Sequence, residues 1–396
     1  MAGGFTSNGN GDLQTIYVDD YALIDQWAAT GSLWTWGYNY YGQLGDNTIA
    51  NKSSPVQTVA GGTNWKSVAS GGLHTAAIKT DGTLWLWGYN YYAALGDNTL
   101  VSKSSPVQTV AGGTNWKLVA GGRYHTAAIK TDGTLWLWGR NTYGQLGDNT
   151  IANKSSPVQT VAGGTNWKLV SGGRYHTAAI KTDGTLWLWG YNTYGQLGDN
   201  TTVSKSSPVQ TVAGGTNWKS VASGGIHTAA IKTDGTLWTW GDNTLGKLGD
   251  NTTVSKSSPV QTISGGTNWK QVSGGRYHTA AIKTDGTLWT WGHNTYGQLG
   301  ENDIVHRSSP VQTVAGGTNW KLVASGYYHT AAIKTDGTLW TWGGNGNAAL
   351  GDNTLVHRSS PVQTVAGGTN WKSVAVGIYY TAAIYFYDAG NLYPNA

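Results

Sequence analysis

The chain has 396 residues, of which 59 are Gly, 22 Trp and 22 Tyr against 2 Phe, 1 Met and no Cys, and only 11% are charged, for a net +5. Usage this skewed points to an internal repeat and supplies ample apolar material for a core, so disorder is excluded as the main state. The absence of Cys excludes a disulfide scaffold, a zinc-thiolate site, an iron–sulfur cluster and a Cys nucleophile, and no basic leader or apolar window of about 18 residues marks a signal peptide or membrane span.

Residues 1–30 read as an N-terminal arm. In this Gly/Asn-rich stretch Ile16, Val18, Tyr21, Leu23 and Ile24 form an apolar set, suited either to ordering on a partner or to adding a strand to the body of the protein. A repeat follows over residues 31–387, and 388–396 form a short tail. The second Trp of each Trp-x-Trp-Gly falls at 36, 87, 138, 189, 240, 291 and 342, a period of 51 without slippage, and the Trp of Gly-Gly-Thr-Asn-Trp keeps the same register from Trp65 to Trp371.

Within one copy, His74 to Gly88 is two alternating runs joined at Asp81-Gly82, read as a type I′ hairpin. Two more short runs, Ser54–Val59 and Trp65–Ala69, flank a turn-forming Ala-Gly-Gly-Thr-Asn. No segment offers ten residues of helical period, so each copy reads as four antiparallel strands and the whole as an all-β, seven-bladed β-propeller. The first Leu-Trp-Thr-Trp-Gly (Leu33–Gly37) lacks an upstream partner strand, and the last Thr-Ala-Ala-Ile strand (Tyr380–Ile384) lacks a downstream one. These orphans are expected to pair, closing the ring with a blade built from both chain ends and removing its open edges.

The frame G-x-L-W-x-W-G-x-N-x-x-G-Q-L-G-D, then S-S-P-V, then G-x-x-H-T-A-A-I is similar to the regulator of chromosome condensation repeat, over roughly residues 31 to 387. That resemblance implies a seven-bladed propeller closed by its ends. It does not imply one function, since members act as exchange factors for a small GTPase, as plant ultraviolet-B photoreceptors and as secreted β-lactamase inhibitors. The near-identical copies and the arm Asp-Leu-x-x-x-x-Val-x-Asp-x-x-Leu-Ile-Asp-Gln also resemble propellers of marine tailed-bacteriophage structural proteins. On that resemblance the chain is expected to be a virion protein, made in the host cytoplasm, or cytoplasmic if not viral.

Nearly every ionisable residue recurs in six or seven copies, and this symmetry argues against a catalytic cluster, a cofactor or a metal site. His74, His125, His176, His227, His278 and His329 each precede Thr-Ala-Ala-Ile and read as one hydrogen-bonded histidine per blade, with Tyr380 replacing them in the last copy. The carboxylates of the Asp-Gly turns (Asp81 and equivalents) and of the Gly-Asp-Asn-Thr loops (Asp46 and equivalents, Glu301 once) read as turn supports, because the calcium signature Asp-x-Asp-x-Asp-Gly is absent. The lysines are spread around the ring beside carboxylates, which makes nucleic acid an unfavoured partner. The Trp are assigned to the core.

Two columns vary against this uniform frame, one after Trp-Gly and one before the blade histidine. They contribute Tyr38, Tyr40, Tyr41, Tyr89, Tyr91, Tyr92, Arg140, Tyr143, Tyr191, Tyr194, His293 and Tyr296, and Arg123, Tyr124, Arg174, Tyr175, Arg276, Tyr277, Tyr327 and Tyr328. Both lie opposite the Asp-Gly turns, so they share one face of the disc, and Tyr and Arg on rigid loops is the composition of a recognition surface. Two roles stay open: a binding face, or rings that merely cover the blade tops. A third varying set, from Ile49–Lys52 to His357-Arg358, sits in a different loop and is expected to be solvated surface. The expected function is non-catalytic, a propeller docked to another virion or complex subunit by its arm and meeting a host-surface glycan or protein with the Tyr-rich face. The alternative is a signalling or enzyme-inhibitor protein-interaction module.

Overall fold

The computed structural model describes residues 31–387. Seven four-stranded antiparallel sheets stand around a central channel. Blade 1 comprises, from the channel outwards, Trp65–Ser70, His74–Lys79, Leu84–Gly88 and Lys103–Gln108, and blades 2 to 6 repeat it at intervals of 51 residues. Blade 7 is built from Trp371–Val376, Tyr380–Phe386, Gly31–Gly37 and Lys52–Gln57. The expected closure is present: Leu33 pairs with Ile384 and Gly37 with Tyr380 in one antiparallel ladder.

The residue pattern explains the blade-to-blade packing. In the His-Thr-Ala-Ala-Ile strand every residue is buried, and the small Ala pair lets the neighbouring sheet approach closely. Trp from adjacent strands then fills the space between sheets. Ala76, Ile78, Leu84 and Leu86 of blade 1 form one cluster with Trp116, Val119, Ala128 and Trp138 of blade 2, so the core lies between blades rather than within one. Trp36, Trp87, Trp138, Trp189, Trp240, Trp291 and Trp342 are fully buried, as the sequence indicates.

The Asp-Gly connection differs from the expected type I′ turn. Gly82 has φ +79° but Asp81 keeps a negative φ, whereas type I′ needs both positive. Gly82 N donates to Lys79 O at 2.9 Å and Lys79 N to Thr83 O at 3.0 Å, which closes a three-residue loop ending in a left-handed Gly, a type I turn with a bulge. The Asp81 carboxylate supports it as expected, accepting from Thr83 N at 2.9 Å and Thr83 Oγ1 at 2.6 Å. Thr83 Oγ1 in turn accepts from Trp85 Nε1 at 2.9 Å, which anchors the next strand to the turn. The lysine before this turn is tethered too: Lys79 Nζ lies 4.9 Å from the Trp65 ring and 5.0 Å from the Trp85 ring, and the arrangement recurs in blades 2 to 6.

Candidate functional site

At the end of the disc opposite the Asp-Gly turns, each blade is tied to the next by a relay of buried polar groups. Thr126 Oγ1 donates to Ala94 O at 2.7 Å, and Trp138 Nε1 donates to the same carbonyl at 2.8 Å. Having spent its one proton, Thr126 Oγ1 accepts from His74 Nε2, 2.9 Å away in the preceding blade. That fixes the tautomer: Nε2 carries the proton and Nδ1, buried without a partner, is bare. The same contact joins His125, His176, His227, His278 and His329 to a Thr of the following blade. Burial pushes the imidazole pKa of His74 down to about 4 and of His176 to about 3, so these rings are neutral structural ties. At the seam the Tyr380 hydroxyl takes the histidine's place, donating to His74 O and lying 3.1 Å from Thr75 Oγ1.

Above these ties sits the long loop after Trp-Gly. Gly88 enters it at φ +102°, a conformation closed to L side chains, which turns the chain sharply out of the strand. The side chain of the following Asn organises the rest: Asn39 Oδ1 accepts from Leu44 N, while its Nδ2 donates to Asp46 Oδ1, Thr48 O and Ala50 O. Asp46 also accepts from Thr48 N and pairs with Lys52 at 3.5 Å, so the carboxylate of the Gly-Asp-Asn-Thr loop is the turn support expected. Where Glu301 replaces it, Asp303 stands in place of the loop Thr: Arg307 bonds Glu301 and Asp303, each at 2.6 Å, and Asp303 accepts from Asn294 Nδ2.

On this scaffold the two varying columns meet. Tyr41 contacts Tyr89 at 4.8 Å, Tyr89 contacts Tyr124 at 5.5 Å, and Tyr92 contacts Tyr124 at 5.1 Å. The Arg140 guanidinium lies over both Tyr92 and Tyr175, at 4.8 and 5.1 Å, and Tyr143 joins Tyr175 to Tyr191. In the other direction Tyr38 meets Tyr379, Tyr379 stacks on Tyr328 at 5.7 Å, and Tyr328 touches Tyr277 and Tyr296. His293 closes that end against Tyr277 and Tyr296. The rings thus form an arc over six blades, interrupted at blade 4, where Ile226, Asp242, Leu245 and Lys247 stand instead. Asp242 and Lys247 make a buried ion pair there, with burial holding the Lys247 ammonium below its ordinary range despite its partner.

Exposure within the arc is graded. Tyr40 and Tyr91 are 62% and 60% exposed and Tyr194 is also exposed, whereas Tyr89 and Tyr327 are buried at 9%. Arg123, Arg174 and Arg276 occupy a more central position, around the mouth of the channel with Tyr327.

Two residues join this face that the sequence did not place on it, His306 and His357, while Tyr379 is the last-copy member of the column before the blade histidine. Tyr379 bridges Tyr38 to Tyr328. His306 packs on His293 at 4.8 Å and His357 on Tyr296 at 5.0 Å, so the third varying loop, expected to be solvated surface, contributes to the face at these positions. The periodic column carries a signal for this: Asn51, Ser102, Asn153, Ser204, Ser255, His306 and His357 each accept from the backbone N–H of the loop Asn twelve residues earlier. The arm residues Ile16, Val18, Tyr21, Leu23 and Ile24 lie outside the described residues.

The RCC1-like domain model matches residues 21–262, and the Regulator of chromosome condensation (RCC1) repeat model matches 285–333 and 336–384. The chain is 33% identical over 335 residues to the Ultraviolet-B receptor UVR8 of Arabidopsis thaliana, covering 83% of this chain and 76% of that one. It is 29% identical over 385 residues to the human E3 ubiquitin-protein ligase HERC2, which spans 92% of this chain but 8% of HERC2. Among solved structures, yeast RCC1 (Prp20) bound to Kap60 superposes with a TM-score of 0.81 at 18% identity, covering 98% of this chain and 95% of that one, a likeness of fold. Repeat, ring closure and family matches agree, and the chain belongs to the RCC1-like propeller family.

Proposed function

We propose that this propeller is a non-catalytic protein-interaction module that grips its partner with the aromatic arc. The single observation that carries this reading is the continuity of the arc, in which ring contacts and the Arg140 guanidinium link the tyrosines from one blade to the next. Rings held by their neighbours lose little rotamer freedom on binding, while Tyr40, Tyr91 and Tyr194 offer exposed area and a hydroxyl each. The gap at blade 4 breaks the seven-fold symmetry, so a partner meets the disc in one orientation. The relatives support a protein as the partner, since yeast RCC1 is seen bound to Kap60. A virion subunit on the arm or a host-surface glycan on the face rests on the uniform copies and the arm alone.

The test is affinity capture from the source material with the native chain and two variants. Tyr41→Ser with Tyr92→Ser and Tyr328→Ser is expected to lose captured partners, while Lys117→Gln at the far end of an innermost strand is expected to retain them. Equal capture by both variants would overturn the reading.

A further inference from the structure

The centre of this face carries a charge pattern that the aromatic arc does not explain. The seven residues following the second Gly-equivalent of each mouth loop are Gly72, Arg123, Arg174, Gly225, Arg276, Tyr327 and Ile378, so three guanidinium groups and one phenol ring a single opening. The two glycines make room for them: a Cβ at Gly72 would fall 2.9 Å from Arg123 Cγ, and one at Gly225 would fall 3.0 Å from Arg276 Cγ. Arg276 and Arg123 both lie over the Tyr327 ring, at 4.7 and 5.8 Å, so all three side chains converge.

This cluster has no counter-charge. Among the described residues none of the three arginines is ion-paired, whereas Lys52, Lys154, Arg307 and Arg358 at the starts of the outermost strands each face a carboxylate. Their Nε atoms are buried without an acceptor, and the Tyr327 hydroxyl, on a side chain nine-tenths buried, has no partner either. Burial would push the Tyr175 hydroxyl up, but Arg123, Arg174 and Arg140 beside it outweigh that and hold it below its ordinary value, a local sign of the positive field. Buried donors without acceptors cost free energy in the free protein and return it when an acceptor arrives. The cavity at the mouth measures about 120 Å3, well short of the roughly 300 Å3 at which pockets for drug-sized ligands begin. It has room for one small oxyanion.

We propose that the channel mouth is an anion socket, in which Arg123, Arg174, Arg276 and the Tyr327 hydroxyl receive a carboxylate from an acidic segment of the partner protein. Arg forks match a carboxylate through paired, charge-assisted hydrogen bonds, and the surrounding tyrosines flank the rest of such a segment. The inference rests on the protein-interaction reading and names what the centre of that face recognises.

Calorimetric titration with a capped hexaglutamate peptide and, separately, with inorganic phosphate tests it on the full chain. The peptide is expected to bind, with an affinity that falls with salt and drops about tenfold or more in Arg174→Gln and in Arg276→Gln. Arg174→Lys is expected to retain part of the affinity, and Lys117→Gln, which removes one charge at the opposite end of the channel, to leave it unchanged. Circular dichroism melts of each variant separate lost binding from lost folding. No peptide binding, binding indifferent to the mouth arginines, or phosphate bound in preference to the peptide would each overturn the socket. If partner capture still depends on Tyr41, Tyr92 and Tyr328 in that case, the interaction reading survives without it.

Discussion

A histidine that stays neutral in the fold ties each of six blades to the next, and its chemistry sets how the protein responds to acid. Unfolded, these imidazoles titrate near 6.5; folded, burial pushes His74 to about 4 and His125, His176, His278 and His329 to about 3. Above about pH 7.5 both states are almost wholly unprotonated and little stability depends on pH through them. Below it the unfolded chain gains protons that the native state refuses, and once below the unfolded pKa stability falls by about 1.4 kcal/mol per pH unit for each histidine until the folded pKa is reached. The turn carboxylates act in a separate window: the hydrogen bonds from Thr134 hold Asp132 below its usual 3.8, so its contribution is lost only at still lower pH. Urea midpoints are therefore expected to be nearly flat above about pH 7.5, to begin falling near pH 7 and to fall steeply toward pH 4.5, with a shallower fall in His176→Gln. A midpoint independent of pH across that interval would refute the neutral-tie assignment.

At the scale of the element, the loop that plugs between blades shows where the copies are not equivalent. Five copies read Gly-Gln-Leu or Gly-Lys-Leu and place the Gly at positive φ, as at Gly144 with φ +77°. Two copies read Ala-Ala-Leu and hold Ala93 and Ala348 at φ +63° and +64°. A left-handed Ala costs about 1 kcal/mol, so Ala93→Gly with Ala348→Gly is expected to stabilise the protein despite the extra freedom of Gly in the unfolded chain. An unchanged or lowered urea midpoint would show that the loop imposes no strain there. The Asp-Gly hairpin shows a limit of local reading: the dipeptide fits both a two-residue type I′ loop and a three-residue loop with a bulge. The choice is made by register, because pairing Ile78 with Leu84 leaves Thr80, Asp81 and Gly82 for the turn.

For the whole molecule the decisive element is the seam. Blade 7 borrows its two inner strands from the C-terminal end and its two outer strands from residues 31–57, so ring closure and chain ends are a single feature. Removing residues from Tyr380 onward would expose the Gly31–Gly37 edge and uncover Trp36, which is fully buried. Such a chain is expected to melt at a lower temperature and to self-associate in size-exclusion chromatography. A monomer with the native melting point would mean that the ring does not depend on its seam.

Periodicity by itself determined the architecture: a 51-residue register of Trp, Gly and Asp-Gly marks every strand and turn, and two complementary orphan strands announce closure, because these features depend on neighbours in sequence. The varying Tyr and Arg columns were legible for the same reason, as departures from a uniform frame. What only the tertiary structure decided is everything that crosses from one blade to the next. The partner of His74 is Thr126, 52 residues away, and His357 reaches Tyr296 from a loop that sequence assigned to plain surface. The convergence of Arg123 and Arg276 on Tyr327, with Arg174 at the same mouth, belongs to the same class. Spacing along the chain records which side chains face one end of the disc, but distances between blades are set by how tightly the Ala and Trp layers close, and those fix which groups touch.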